Sequence, residues 1–385
     1  MGNIFGKDCP EPIHLLRKKT HNVRWKSLGS GSGSGGDASR PVSTGKARLD
    51  PKDFIVSGKR AELIVREPGS IGGQQFIIEE CAGCDVYLLD HTAALTIDIC
   101  TDCRIFTGPC ESSIFIRDCK NCTFVVAAQQ FRTRDCDGCT IFLFCATQPV
   151  IETSTQLRLA CYTLDYFSLA GQFAAANLSV WNNKWSQVYN FSNPGEERDW
   201  SRMPPGSHHR EFTRVSLPEG VRQRAGFTDN TNGAVVPLTA GVHGLSKEEE
   251  TCFVAVMADY IDAVLGKLLA VGDQPTMTSP QPQRTSRLLR TKLFHPQKAQ
   301  CKSFFEDAPS SLSAQASSSS VLGMQWAGAG SEGTALDLLV AAGASKSTVS
   351  LAEGMVGGGY YAAKGSQASA AKAKVFFEQW DEDKG

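Results

Sequence analysis

The sequence of 385 residues has no apolar run that approaches the roughly 20 residues of a membrane-spanning helix. Its most apolar stretch, "FVAVMADYIDAVLGKLLAV", is interrupted by Asp259, Asp262 and Lys267. The N-terminus has no apolar region of the kind found in secretory signals. Nor is there an excess of charge, since the formal net charge is −1, which gives no bulk attraction for nucleic acid. We therefore expect a cytoplasmic protein without a nucleic-acid partner, held at membranes by something other than a spanning helix.

Cysteine, by contrast, is plentiful, with 14 residues in the chain. Disulfide scaffolds this rich in cysteine are typical of short secreted chains, and no secretory route is visible here. We therefore expect free thiols in a reducing compartment. Many of the cysteines form C-x-x-C pairs: Cys81/Cys84, Cys100/Cys103, Cys119/Cys122 and Cys136/Cys139.

These pairs belong to a repeat between residues 74 and 145. Fixed-period similarity with strand-like alternation is typical of a solenoid, and a period this short fits one coil of a β-helix. The position two residues after each pair is apolar in every copy. Strand alternation predicts that these residues form an inward-facing column of Val86, Ile105, Phe124 and Ile141. The aligned segments are "QQFIIEECAGCDVYLL", "AALTIDICTDCRIFTG", "SSIFIRDCKNCTFVVA" and "QQFRTRDCDGCTIFLF".

Two interpretations of the cysteine pairs are open. Their spacing matches four-cysteine zinc sites. Alternatively, each pair lies at the same corner of successive coils, where cysteine serves as a small apolar residue. The register with a long hydrophobic repeat and the strand-like flanks favour the second interpretation, so we predict no metal site.

The fourth copy of the repeat differs from the others because it carries two arginines, Arg132 and Arg134. Alternation along a strand predicts that both point to one outer face. A guanidinium held on a rigid element can neutralise charge on a phosphoryl group in a partner's active site. A surface ion pair is the more ordinary role of an exposed arginine. Periodicity alone leaves both roles open. Across the copies, the outward column of Arg132 reads Ile77, Thr96, Phe115, Arg132.

The stretch 49–206 closely resembles the C-CAP/cofactor C-like domain family, which includes tubulin-folding cofactor C. The matching phrases are "DPKDF", "GGQQFIIEEC", "DHTAALTIDICTDC", "QQFRTRDC", "CATQPVIE" and "WNNKWSQVYNF". Gly2 and the α/β tail favour the branch that is similar to the retinitis pigmentosa 2 protein. The resemblance implies a right-handed parallel β-helix and a GTPase-activating function. The expected partner is an Arf-like small GTPase in its GTP form, or tubulin in the cofactor C branch.

The resemblance also implies roles for individual residues. Arg132 looks like the family's arginine finger, and Glu152 resembles the acidic residue that orients it. Gln129 and Gln130 resemble the polar residues that face the GTPase and its nucleotide, and Phe191 resembles an aromatic contact for the partner.

Arg134 is grouped with the partner-binding residues, although Asp135 offers it a structural ion pair. The chain shows no nucleotide site of its own, because "AAGASKSTVS" lacks the spacing of a phosphate-binding loop. Mg²⁺ and GTP are therefore expected to belong to the partner. We predict no cofactor and no active site of the chain's own, and the enzymatic step would take place in the GTPase.

The domain organisation is predicted from composition and pattern. A C-terminal α/β domain is expected from strands at 251–258 and 321–326 and helices at 259–271 and 334–343. It weakly resembles the ferredoxin-like fold of nucleoside diphosphate kinase, but His295 lacks a catalytic setting, so we read it as non-catalytic. The segments are a flexible basic head at 1–48, the β-helix domain at 49–206, a connection at 207–250, and the α/β domain at 251–385 with a Ser/Gln/Pro-rich loop at 272–320.

The N-terminus "MGNIFGKDC" places Gly2 at the acceptor position for myristoylation, although Gly6 replaces the usual Ser or Thr. One acyl chain binds membranes only marginally, so a second signal is needed. Palmitoylation of Cys9 or the basic cluster at 17–26 would supply it. The resemblance implies the plasma membrane, the cilium or the basal body as the location.

Two functions of different classes follow. The first is a membrane-tethered GTPase-activating protein that acts in ciliary protein trafficking, as the resemblance implies. The second is a non-catalytic β-helix scaffold that binds tubulin or a small GTPase. The joint presence of Arg132, Gln130 and Glu152 favours the first, because a pure scaffold needs neither a finger nor its orienting acid.

Overall fold

The computed structural model describes residues 50–194, 199–212, 217–227, 235–242, 249–270, 276–277, 286–306, 308–344, 349–350, 354–357, 359–363 and 365–380. This part of the chain is built on two sheets. A 12-stranded sheet with parallel pairing occupies its N-terminal half, and a 7-stranded antiparallel sheet occupies its C-terminal half.

The first sheet winds into a parallel β-helix, which the repeat predicted. A short 3-10 turn at Pro51–Phe54 leads into its first strand. The strands are β1 Ile55–Ser57, β2 Leu63–Arg66, β3 Phe76–Glu79, β4 Asp85–Leu88, β5 Leu95–Asp98, β6 Arg104–Arg117, β7 Thr123–Arg134, β8 Thr140–Cys145, β9 Val150–Glu152, β10 Leu157–Cys161, β11 Tyr189–Asn190 and β12 Trp200–Arg202.

The core of the β-helix consists of stacked apolar columns in register. The predicted column of Val86, Ile105, Phe124 and Ile141 is confirmed, because these residues pair in sequence along β4, β6, β7 and β8 and are fully buried. Burial of such columns is the main stabilising contribution of the coil stack. A second buried column runs through Phe76, Leu95, Ile114 and Phe131.

The coil stack extends beyond the four copies that carry cysteine pairs. Strands β1 and β2 form an earlier coil that pairs with β3 and β4. Strands β9 and β10 form a later coil, in which Ser154 and Leu157 take the cysteine positions. Sequence analysis missed these coils because it identified copies by their cysteines.

The corners between the two columns need backbone in the left-handed region. The residue before each cysteine of a pair has a positive φ, and Asp, Asn and Gly occupy most of these positions, as their conformational preferences require. Glu80 and Ile99 are the exceptions, and Ile99 is the β-branched one, with φ 54° and 55% exposure. Its backbone is therefore strained.

The cysteine pairs line the interior of these corners. The 13 cysteines of the described chain are free and buried. The thiols of the paired cysteines donate to nearby backbone carbonyls, as Cys119 does to the Arg117 oxygen at 3.2 Å. The same corner of successive coils is joined through Ala82, Thr101 and Lys120, which is the arrangement that the ladder interpretation requires. Among the described residues, no group of three or more His, Cys, Asp or Glu side chains is placed to hold a metal ion.

Of three short helices, one lies between β10 and β11 and two follow β12, and the second sheet comes after them. The helices are α1 Leu169–Ala175, α2 His209–Phe212 and α3 Glu219–Ala225. The remaining elements are β13 Thr251–Met257, α4 Ala258–Ala270, β14 Thr276–Met277, β15 Ser286–Phe294, α5 Lys298–Phe304, α6 Ser310–Ser318, β16 Val321–Ala327, α7 Ser331–Ala341, β17 Val349–Ser350, β18 Gly354–Gly357, β19 Tyr360–Ala363, α8 Gly365–Lys374 and a π-helical segment at Val375–Gln379.

The central strand order β15-β16-β13-β19, all antiparallel, is that of a ferredoxin-like domain. Helices α4 and α7 contribute side chains to the core on one face of this sheet, while α5, α6 and the π-helical segment contribute to the core on the other. The predicted α/β character of the C-terminal part is thus confirmed.

The prediction of a long loop at 272–320 was wrong for much of that segment. It contains β15, α5 and α6. The loop was inferred from the Ser, Gln and Pro content. However, Leu312 and Ala316 of α6 are buried against the sheet, and this packing stabilises a Ser-rich helix that has little propensity of its own.

The "WNNKW" motif joins the two sheets. Asn183 accepts from the Cys145 backbone at 3.0 Å and so binds the β-helix. Thr291 donates to the Trp181 carbonyl at 2.6 Å, and the Leu293 backbone donates to Asn182 at 2.7 Å. The two residues before Asn183 therefore bind β15. Within the described ranges, no helix is both long enough and apolar enough to cross a bilayer.

Candidate functional site: an exposed arginine on the β-helix

The parallel ladder determines where Arg132 points. It lies on β7, where it pairs with Phe115 of β6 on one side and Val150 of β9 on the other. Its chain neighbours Phe131 and Thr133 are buried in the coil. Alternation therefore places the Arg132 side chain on the outer surface, as predicted. Its backbone is constrained by strands on both sides, so the base of the side chain has little freedom.

Two groups hold the guanidinium of Arg132. Its Nη2 donates to Glu152 Oε2 at 2.6 Å. The guanidinium carbon also lies 5.8 Å from the ring centroid of Phe115, which is within the range of a cation–π contact. The Arg132 side chain nevertheless stays 49% exposed. It is therefore oriented by the protein and still accessible to a partner.

Glu152 reaches Arg132 diagonally. In the strand register it stands opposite Arg134 rather than Arg132. Arg134 instead binds Asp135 through Nε at 3.2 Å, in a pair that is exposed on both sides. Such exposed pairs contribute little, so the charge of Arg134 is available to a partner.

The neighbouring arginine in the ladder, Arg117, is already engaged. The Nε–Nη2 edge of its guanidinium contacts both carboxylate oxygens of Asp98, with Nε to Oδ1 at 2.7 Å. Arg117 also lies over the Phe115 ring, 5.2 Å from its centroid. A bidentate pair of this kind is geometrically specific. Arg117 is thus fixed by Asp98 and packs on the Phe115 ring, which also contacts Arg132.

Gln129 and Gln130 precede the arginine on β7, and both are exposed. The Gln129 carbonyl accepts from the backbone and the hydroxyl of Thr147, at 3.0 and 2.9 Å, which fixes this part of the strand. Their side chains lie on the same end of β7 as Arg132.

An aromatic pair lies beyond Glu152. The Phe191 backbone donates to the Ile151 carbonyl at 2.8 Å, so Phe191 continues the coil stack. Its ring meets that of Tyr189 edge to face, with centroids 6.4 Å apart. Tyr189 is 39% exposed and Phe191 is 55% exposed. Exposed aromatic rings beside a cation are typical of protein–protein contact sites.

Sequence analysis missed Phe115 and Tyr189, although a signal existed for each. Phe115 occupies the repeat position of Arg132 in the preceding copy, and Tyr189 stands two residues before Phe191 on the same face of the strand. Ile77, which was assigned to the outward column, is instead buried beside its register partner Ile55. Gly2 and Cys9 lie outside the described residues.

The part of the chain that builds this surface is similar to known proteins. Residues 73–191 match the family described as Tubulin binding cofactor C. This region of the chain is therefore similar to that family, in agreement with the resemblance seen in the sequence.

Among individual relatives, the chain is 36% identical over 240 residues to Protein XRP2 of Danio rerio, covering 62% of this chain and 64% of that protein. It is 36% identical over 224 residues to Protein XRP2 of Homo sapiens, covering 58% and 64%. Tubulin-folding cofactor C of Arabidopsis thaliana is 31% identical over 163 residues, covering 41% of this chain and 45% of the relative. The alignments thus span less than two thirds of each relative's length.

Proposed function

We propose that this protein activates GTP hydrolysis by an Arf-like small GTPase, with Arg132 acting as an arginine finger. The observation that supports this most directly is the combination of orientation and exposure at Arg132. Its guanidinium is held by Glu152 at 2.6 Å while the side chain is 49% exposed. Exposed ion pairs are common on protein surfaces, so the proposal depends equally on the position of Arg132 in the family-like phrase "QQFRTRDC".

The chemistry of the proposed step divides between two proteins. The GTPase holds GTP and Mg²⁺ in its own phosphate-binding loop, and charge develops on the oxygens of the γ-phosphate as the bond to the leaving group breaks. Arg132 would enter that site and neutralise the charge. A finger supplied in trans is typically worth about 10³ to 10⁵ in rate. Because a rigid strand and two side chains already orient Arg132, little conformational freedom is lost on docking.

The surrounding residues would form the docking surface. Gln129 and Gln130 offer amide donors and acceptors toward the nucleotide. Tyr189 and Phe191 offer apolar area that a partner can cover, and Arg134 adds a second positive charge that attracts the acidic nucleotide site.

The same proposal includes attachment to a membrane. Myristoylation at Gly2, together with palmitoylation of Cys9 or the basic residues at 17–26, would give the two signals needed for stable binding. This would bring the activator to GTPases at the plasma membrane or cilium, in keeping with a role in ciliary protein trafficking.

The test is single-turnover GTP hydrolysis by a panel of Arf-like GTPases, measured with the wild-type protein and with Arg132→Ala. We expect strong stimulation by the wild type and almost none by the variant, while the affinity for the GTP-bound partner changes little. Arg224→Ala is the matched control, because Arg224 is also an exposed arginine with a carboxylate partner at 2.6 Å, Glu67. Equal stimulation by wild type and Arg132→Ala would refute the finger.

A second candidate function is a non-catalytic scaffold for tubulin or a GTPase. It is favoured by the relatives whose names refer to tubulin, among them Tubulin-specific chaperone C of Homo sapiens, which is 24% identical over 151 residues. Saturable binding of tubulin or of a GTPase, with no change in the hydrolysis rate across the panel, would support the scaffold over the activator.

A further inference from the structure

The ferredoxin-like sheet contains another arginine with an unusual environment, Arg290 on β15. It lies on the sheet face that packs against the π-helical segment. Its Nε donates to Gln325 Oε1 on β16 at 2.7 Å. Its guanidinium carbon lies over Phe377 of the π-helical segment, 4.1 Å from the ring centroid. One edge and one face of the guanidinium are therefore fixed.

The opposite edge of the guanidinium is not used within the described chain. Arg290 makes no ion pair with any described residue, and its two terminal nitrogens have no hydrogen-bond acceptor there. None of the fully buried polar atoms that lack a partner in the described ranges belongs to Arg290. Its terminal nitrogens therefore reach solvent. They form a two-pronged donor, in a half-buried residue, for which the described chain offers no acceptor.

Keeping a cation in this position is unfavourable without an anion. Burial lowers the pKa of Arg290 to about 10, against the opposing effect of Glu378. A partly buried charge normally has an oppositely charged partner in contact. Here Glu378 is exposed and attracts the guanidinium from a distance, without an ion pair to Arg290 within the described chain. Among the described residues, the positive charge of Arg290 thus has no anion in contact, and a bound anion would compensate it.

A second cation lies on the same face two residues along the strand. The Lys292 ammonium is buried and donates to the Trp380 carbonyl at the end of the π-helical segment. Segments with π-helical hydrogen bonding occur frequently at functional sites. In this protein the segment carries Phe377 and ends at Trp380, so it positions both cations.

We propose that Arg290 anchors a binding site for a phosphate group. The planar donor fork of arginine matches two oxygens of a phosphate. The two cations on one face favour a doubly charged phosphate over a singly charged carboxylate. Gln325 and Phe377 are positioning residues, since they fix the guanidinium without touching the anion. The phosphate would come from a soluble phosphomonoester or from a phosphorylated lipid headgroup.

The experiment uses the full chain and titrates it with inorganic phosphate in a calorimeter, with chloride as the reference anion. A parallel series records the ¹⁵Nε–H signals of the arginines during the titration. The variants are Arg290→Gln, Arg290→Lys, which keeps the charge but loses the fork, and Phe377→Leu, which keeps the arginine. Lys298→Gln is the matched control, because it removes one exposed positive charge from the same domain.

We expect saturable binding in the wild type and in Lys298→Gln, a shift of one arginine signal, and a loss of affinity of about tenfold or more in Arg290→Gln and Arg290→Lys. Phe377→Leu should weaken binding less than either. Sedimentation with vesicles that contain phosphatidylinositol phosphates, compared with phosphatidylcholine alone, identifies a lipid source if Arg290→Gln reduces it. The proposal is overturned if neither inorganic phosphate nor these vesicles bind, or if Arg290→Gln binds as the wild type does. If Arg290→Gln fails to fold, the proposal is tested by the affinity of Phe377→Leu and by the shift of one arginine signal in the wild type.

Discussion

The change Glu152→Gln tests how much the orientation of Arg132 contributes to the proposed activity. Glutamine has nearly the same shape as glutamate and can still accept a hydrogen bond, but it has no charge. The present pair joins Arg132 Nη2 and Glu152 Oε2 at 2.6 Å, with side chains that are 49% and 22% exposed. The substitution therefore weakens one contact without emptying any space.

The expected effect on stability is small. Ion pairs with this degree of exposure contribute about 0.2–1 kcal/mol, so the free energy of unfolding should fall by no more than about 1 kcal/mol. The effect on the stimulated hydrolysis rate should be larger than the small change in stability suggests. A charge-assisted hydrogen bond is roughly twice as strong as a neutral one, and ordering a long side chain costs about 0.5–1.5 kcal/mol. Together these give about 1–2 kcal/mol, a factor of about 5–30 in the stimulated rate.

The assay is single-turnover hydrolysis with saturating activator, arranged as a double-mutant cycle. Arg132→Ala should lower the rate by about 10³ or more. If Glu152 acts only by orienting Arg132, adding Glu152→Gln to Arg132→Ala should change nothing further. Glu67→Gln is the matched control, since Glu67 pairs with Arg224 at the same distance, 2.6 Å, on another part of the surface.

Two results would refute this reasoning. One is a rate for Glu152→Gln equal to that of the wild type, which would mean that the ladder and Phe115 orient Arg132 without help. The other is a further loss when Glu152→Gln is added to Arg132→Ala, which would give Glu152 a role of its own with the GTPase. Unchanged urea unfolding in each variant is required for either conclusion.

Three further predictions concern stability and thiol chemistry. Ile99→Asn should raise the free energy of unfolding by about 1 kcal/mol, because asparagine accepts the left-handed backbone more readily; a lower urea midpoint would contradict this. Burial raises the pKa of Asp165 from 3.8 to about 6, so the folded state loses stability as pH rises from about 4 to about 6. Asp165→Asn should therefore stabilise the protein relative to the wild type by an amount that grows by about 1–2 kcal/mol between about pH 4 and pH 6.5, after allowance for partial exposure; a gain independent of pH in urea titrations would contradict it. Burial also raises the pKa of Cys110 to about 11 and of Cys145 to about 12, so a thiol reagent at neutral pH should label neither until the protein unfolds, as peptide mapping can show.

The repeat in the sequence determined the four coils that carry cysteine pairs and the outward direction of Arg132. Alternation is a local property of a strand, and the repeat shows which residues share a column, so the buried column of Phe124 and the outward direction of Arg132 follow directly. The ferredoxin-like order of the C-terminal strands was expected from resemblance, but the strand at β15 and the helix α6 were not. Their sequence is rich in Ser and Lys or Arg, and only packing against the sheet stabilises them.

Only the tertiary structure decided which side chains contact each arginine. Glu152 could have bound Arg134, its register neighbour, and its diagonal reach to Arg132 depends on the lateral spacing of β7 and β9. The Phe115 ring beside Arg132 depends on the register between β6 and β7. Arg290 meets Phe377 only because the chain returns to the sheet after α8. In each case the partners are distant along the chain, and no local pattern encodes which side chains such a return brings together.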